Sequence, residues 1–352
     1  MKLALLVPGP FSIVSGGYGY DRRLVAGFRA AGHEVTVVEL DGRHPLPDAA
    51  AEASARAALD SVPDDTTIVI DGLGLPAFAP LADELERRCA IGLIHHPTAI
   101  EPGVPEEDRA RLKQLEAQLF PRMARLVATS RLTADRLPLE FPVAAERIGV
   151  VEPGTDPAPR STGSGGPGCA ILAVGVLVAR KGHDVLLRAL ARLTDLDWHL
   201  TIAGAPRDPV HARTLQALAE ELNLVARVTF AGEVDDAVLE RLYAGADLFA
   251  LATYWEGYGM AAAEALARGL PVAITAGGAI ADVVPTSAGI IAPPGDITSY
   301  SRAMRRPIYD TALRAEMAEA AWQAGQALPR WPDRATAFLA EIEASRAMDA
   351  GA

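Results

Sequence analysis

A chain of 352 residues that is half hydrophobic, with 22% charged residues, is long enough for two ordinary domains and too apolar to be disordered. Its net charge of −12 argues against a nucleic-acid partner, whose phosphates need a basic face, and disfavours an anionic membrane surface. Cys89 and Cys169 lie far apart without CxxC spacing and read as isolated buried thiols, and no apolar run approaches the roughly 20 residues of a membrane span.

The apolar run over 3–7 is too short for a signal peptide and lacks a cleavage site, so it reads as the first buried strand of a cytoplasmic protein. Further strands are expected over 35–40, 67–70, 90–94, 126–129 and 148–151, with helical stretches over 21–31, 49–59 and 109–120. Several strand runs are apolar throughout, as strands covered on both faces are. The pattern is that of a parallel sheet with helices on both sides. Pro157 to Gly168, PAPRSTGSGGPG, has no hydrophobic periodicity and is expected to be a linker. Strands then resume over 170–174, 200–203, 228–231, 248–251 and 272–274. A helix over 185–193 puts Val185, Leu186, Ala189, Leu190 and Leu193 on one face, and a last helix over 334–347 follows Trp331. The expected organisation is a Rossmann-like domain over 1–156, a linker over 157–168, a second Rossmann-like domain over 169–328, and a helix over 329–352 crossing back to the first. Doubly wound sheets bind ligands outside the carboxyl ends of their strands, so chemistry is expected in a cleft between two such ends.

Four segments carry residues suited to chemistry. Ser15-Gly16-Gly17-Tyr18-Gly19 is a glycine-rich loop between a strand and a helix. A dinucleotide fingerprint would follow the strand directly, and Arg22 stands where its last glycine belongs, although Glu39 and Asp41 could fill its acidic role. Ile94-His95-His96-Pro97 ends a buried strand with two histidines. Strand neighbours point oppositely, so one of the two faces the ligand, with His96 preferred; no third ligand cluster suggests a metal. Arg180 and Lys181 lie in a loop after the first strand of the second domain, where two cations can neutralise a leaving diphosphate without a metal. The stretch from Tyr254 to Val272 puts Glu256 at the entrance of a helix, Glu264 two turns inside, and Gly269 at its end. That helix start, approached through Gly257 and Gly259, offers free N–H groups to an anion. If both were helical, the two carboxylates would stand roughly 12 Å apart, too far for a glycoside hydrolase pair at about 5–9.5 Å and suited to two contacts on one long ligand. Asp195-Leu196-Asp197 has the form of a manganese site but lies on the wrong side of the sheet and reads as a turn.

With Gly257 and Gly259 after the first Glu and Gly269-Leu270-Pro271-Val272 closing the helix, the Glu256…Glu264 spacing resembles the E-x7-E motif of the family 4 retaining glycosyltransferases. The resemblance implies the GT-B fold: two doubly wound Rossmann-like domains facing across a cleft. It implies transfer of a sugar from a nucleoside diphosphate, UDP before GDP, to a hydroxyl of a small-molecule or glycan acceptor, with retention and with neither metal nor other cofactor. It makes Glu256 the sugar contact, Glu264 the ribose contact, and the amides of Gly257, Tyr258 and Gly259 contacts to diphosphate or sugar. Lys181 matches the family's phosphate-clamping lysine. The family's arginine usually follows the glycine at 175, where this chain has Val176, which leaves Arg180 to supply the second charge. Gly16 and Gly17 resemble the loop that closes over the donor diphosphate or the acceptor, and one of His95 and His96 would contact the donor sugar. Gly232-Glu233-Val234 resembles the turn beside the base. Ala292-Pro293-Pro294-Gly295-Asp296 resembles a late loop bordering the site, or is a helix start capped by Asp296. The rival readings are a non-catalytic nucleotide-sugar binder, for which Val176 speaks, a GT-B epimerase, and an NAD-dependent oxidoreductase that leaves the second domain unexplained. A homo-oligomer is compatible with all of them.

Overall fold

The computed structural model describes residues 1–100 and 104–350, apart from the side chains of 347–350. Two compact units divide the chain: Met1–Gly154 with Pro329–Ala352, and Thr155–Leu328. The first contains β1 (Lys2–Pro8), α1 (Gly16–Ala30), β2 (Glu34–Leu40), α2 (Ala49–Ser61), β3 (Thr67–Asp71), α3 (Ala82–Arg87), β4 (Ile91–Ile94), α4 (Glu106–Leu119), β5 (Arg125–Ala128), α5 (Arg131–Glu140) and β6 (Ile148–Val150). Its six strands are all parallel, in the order β2-β1-β3-β4-β5-β6. Every residue of β3, β4 and β5 is buried, as the unbroken apolar runs require of strands covered on both faces. The order reverses between β1 and β3, which marks a switch point at their carboxyl ends.

The second unit contains β7 (Cys169–Val174), α6 (His183–Leu190), β8 (Trp198–Ala203), α7 (Pro209–Glu221), β9 (Val228–Gly232), α8 (Asp236–Ala244), β10 (Leu248–Leu251), α9 (Met260–Ala267), β11 (Val272–Thr275), α10 (Ile280–Val283), β12 (Gly289–Ala292), α11 (Ile297–Tyr309) and α12 (Thr311–Ala327). Its parallel order is β12-β11-β10-β7-β8-β9, with the switch between β7 and β10. Both units are therefore Rossmann-like. α13 (Trp331–Ala350) returns to the first unit, where Phe338 packs on Phe28 with ring centroids 5.7 Å apart and Arg125 pairs with Glu341.

Four local expectations are revised. The glycine loop is not a loop at Gly16: Ser15 accepts the Tyr18 amide at 3.4 Å and α1 starts at Gly16, ahead of the expected 21. The stretch Gly-Ile-Ile-Ala, too short to stand out in the sequence, forms the edge strand β12. The segment 157–168 lies on the second unit: Ser161 donates to the Ala244 and Ala246 carbonyls at 2.9 Å each, and Ser164 donates to Asp247 at 2.7 Å. Polar partners hold it there where an apolar core cannot. Cys89 is exposed, at φ +50 after α3, while Cys169 is buried in β7. Among the described residues no helix is long and apolar enough to cross a membrane.

Candidate functional site

At the switch point of the second sheet, the loop after β7 meets the segment after β10. Gly182 sits at φ +63, and a Cβ there would lie 1.9 Å from the Ala252 carbonyl, so only glycine permits this approach. The contact is sealed by the Tyr254 amide donating to the Arg180 carbonyl at 2.8 Å. It brings Lys181 Nζ to 2.6 Å from Glu256 Oε1, with the Arg180 guanidinium 3.7 Å from the same oxygen. Arg180 also donates to the Trp255 carbonyl at 3.2 Å, and Thr253 Oγ1 stands 3.2 Å from Glu256 Oε1. Burial works to raise the Glu256 pKa, but Lys181 and then Arg180 outweigh it and hold the carboxyl below its ordinary value. Burial, with Arg180 beside it, lowers the Lys181 ammonium although Glu256 works against that.

Glu256 does not lie in a helix. Its amide donates to the Gly277 carbonyl at 2.8 Å and its carbonyl accepts the Ala279 amide at 2.9 Å, so its backbone is pinned to the loop after β11. A Cβ on Gly277 would fall 2.4 Å from the Thr253 carbonyl, and one on Gly278 2.2 Å from the Glu256 carbonyl. α9 starts at Met260, four residues later, with Gly259 at φ +110 as its N-cap. The Ala262 and Ala263 amides donate to the Gly259 carbonyl at 3.0 and 3.1 Å, and the helix start lies at the same carboxyl edge. Glu264, inside α9, accepts from the buried Tyr243 hydroxyl at 3.0 Å, and Arg268 covers the Tyr243 ring at 4.4 Å.

The turn Gly232-Glu233-Val234 closes β9 at that edge too, with the Gly204 amide on the Gly232 carbonyl at 2.8 Å. Asp296 caps α11 through the Ser299 amide at 2.9 Å, while Gly295 sits against the Tyr254 ring, so that segment serves as a helix cap and borders the site. Asp195 lies at the amino end of β8, gripped by Arg305 at 2.8 Å. His183 heads α6 fully buried; burial first, then Lys181, takes its pKa down to about 4.

In the first unit both histidines after β4 are half-buried. His95 Nε2 lies 3.2 Å from Asp21 Oδ1 and 3.2 Å from Asp71 Oδ2. A side chain on Gly17 would begin 3.4 Å from the His95 ring, so Gly17 and His95 adjoin, while Gly16 is exposed. His96 lies near Glu116, whose carboxylate takes the Thr98 and Ala99 amides at 2.7 and 3.1 Å. Geometry thus favours His95 over His96 as the residue beside the glycines.

The sequence reading missed Thr253, Gly277, Gly278, Tyr243, Asp21 and Asp71. Two glycines one residue beyond β11, and an aspartate ending the apolar run of β3, were the available signals. Asp21 and Tyr243 give none, because their partners are distant in sequence.

Residues 158–324 match the family model of the glycosyl transferases group 1. Among solved structures, sucrose-phosphate synthase from Thermosynechococcus elongatus superposes with a TM-score of 0.82 at 20% identity over all of both chains. HepE from Anabaena, solved with UDP and glucose, superposes with a TM-score of 0.75 at 16% identity over 97% of this chain and 100% of that one. These likenesses, with the two parallel six-stranded sheets, give the chain the GT-B fold. Among curated proteins, a D-inositol 3-phosphate glycosyltransferase of Xylanimonas cellulosilytica is 30% identical over 258 residues, 68% of this chain and 61% of that protein. Mannosylfructose-phosphate synthase of Agrobacterium fabrum is 27% identical over 237 residues, 62% of this chain and 52% of that protein. The chain spans about half the length of the curated relatives it matches.

Proposed function

We propose that this protein is a retaining glycosyltransferase of family 4 type that moves a sugar from a nucleoside diphosphate, UDP before GDP, to an acceptor hydroxyl without a metal. The observation that carries the reading is the buried Lys181–Glu256 pair, with Arg180 beside it, at the edge where α9 begins. In this reading Lys181, Arg180 and the amides of Gly257, Tyr258 and Gly259 take the charge that grows on the departing diphosphate. Arg180 stands close enough to Glu256 to supply the charge that Val176 does not. Glu256 orients a donor-sugar hydroxyl. Glu264, aimed by Tyr243, accepts from the ribose, and Gly232-Glu233-Val234 lies beside the base. In the first unit His95 is assigned to a sugar hydroxyl, and Gly16 and Gly17 to the diphosphate or acceptor. The acceptor is a small molecule or a glycan. Relatives named as a mannosylfructose-phosphate synthase and a D-inositol 3-phosphate glycosyltransferase support the class.

The test is calorimetric binding of UDP, GDP and ADP, followed by release of nucleotide from radiolabelled donors with and without EDTA. UDP is expected to bind best, Glu264→Ala to weaken it by about tenfold or more, and EDTA to leave turnover unchanged. Unaltered affinity in Glu264→Ala would refute the ribose assignment, and turnover abolished by EDTA would refute metal independence.

A further inference from the structure

Asp21, Asp71 and His95 come from α1, the last residue of β3 and the residue after β4, and they meet beside the switch between β1 and β3. Asp21 is 1% and Asp71 4% exposed, and both carboxylates reach the same ring nitrogen. A nitrogen between two ionised carboxylates carries a hydrogen, because its lone pair would leave both without a donor. The tautomer with hydrogen on Nε2 is therefore set by the packing. Asp71 is fixed in turn by the Leu73 amide on its other oxygen at 2.8 Å, and Tyr20 meets the imidazole edge-on at 5.3 Å. About a fifth of the His95 side chain stays open to solvent, and Gly17 adds no side chain above it.

We propose that Asp21 and Asp71 are positioning residues that hold His95 as a cationic ring, its Nε2–H turned into the protein and its Nδ1–H offered to an oxygen of the bound sugar. His95 then donates and never acts as a general base. The ligand, though not the clamp, rests on the glycosyltransferase reading. Burial alone would lower the His95 pKa; Asp21 and then Asp71 override it and lift it to about 10, while burial pushes Asp21 up to about 6. The other groups facing the cluster are Arg22, which favours ionised Asp21, and the Tyr20 phenol, kept neutral by burial with Arg334 of α13 beyond it. Each carboxylate stands at a hydrogen-bond distance from Nε2, although the same three groups are spaced so that they could grip a cation.

The full chain labelled with 15N-histidine tests this, with His95 assigned by His95→Gln. The expected result is two protonated ring nitrogens persisting above pH 9, and a midpoint lowered by about one unit or more in Asp71→Asn and in Asp21→Asn. A wild-type midpoint near about 6.5, or stoichiometric Mn2+ broadening the His95 signals, would overturn it. In the transfer assay Asp71→Asn is expected to keep KM for the donor and to gain an alkaline fall in kcat that the wild type lacks; an unchanged profile overturns the positioning role. Absence of transfer in the wild type would sink the functional reading alone, since the spectra still decide the clamp.

Discussion

Lys181 and Glu256 keep only 12% and 11% of their side-chain surface in water, so neither can lose its partner without consequence. Glu256→Gln leaves a buried ammonium facing a neutral amide. The expected cost is about 3–5 kcal/mol, read as a fall in the urea midpoint at unchanged slope. Added UDP should restore more stability to this variant than to the wild type, because phosphate replaces the missing charge. His183 makes a separate prediction. Its folded pKa is held at about 4, below the ordinary 6.5, so the folded state binds fewer protons than the unfolded one. Its contribution is complete above pH 6.5 and is lost as the pH falls toward 4, by about 3 kcal/mol. His183→Leu should flatten that acid limb in denaturant titrations run across the interval.

α9 shows what one backbone angle does for an element. Gly259 adopts φ +110, and a Cβ there would lie 2.6 Å from Ile280 Cγ1. Gly259→Ala is expected to cost more than about 1 kcal/mol and to weaken UDP binding beyond the stability loss, because the turn that aims the first amides must move. Titration calorimetry beside a melting curve separates the two effects. The same helix shows how far the sequence could be read. Gly269 marked its end, but its start was placed too early because Glu256 and the glycines after it look like a helix entrance. Only the bridge to Gly278, a contact across the fold, fixes Glu256 outside it. At α1 the error ran the other way: Gly16 and Gly17 are poor helix formers, and the Ser15 cap overrides them. Arg180, Lys181 and Glu256 could be singled out because they are charged residues in the loops that follow apolar strands. Asp21 and Asp71 were not, because their meaning comes from a ring far along the chain.

At the scale of the whole molecule, the parallel character of the sheets followed from unbroken apolar runs, while the belonging of 157–168 to the second unit came from polar contacts that no periodicity announces. α13 belongs to the first unit through side chains such as Phe338, which is fully buried. Phe338→Ala is expected to cost about 3–5 kcal/mol. Hydrogen exchange should show protection lost in β1, α1 and β5 and kept in β7–β12; uniform loss would mean that the units unfold as one.

The return of α13 has a consequence for synthesis. The second unit has all its strands and helices once Leu328 has left the ribosome, whereas the first, begun with β1, must wait for some twenty residues more. During that interval Phe28 of α1, which Phe338 will cover, lacks that partner on the nascent chain. Of the two units, the one begun first is thus the one completed last, and the one on which a chaperone has longer to act.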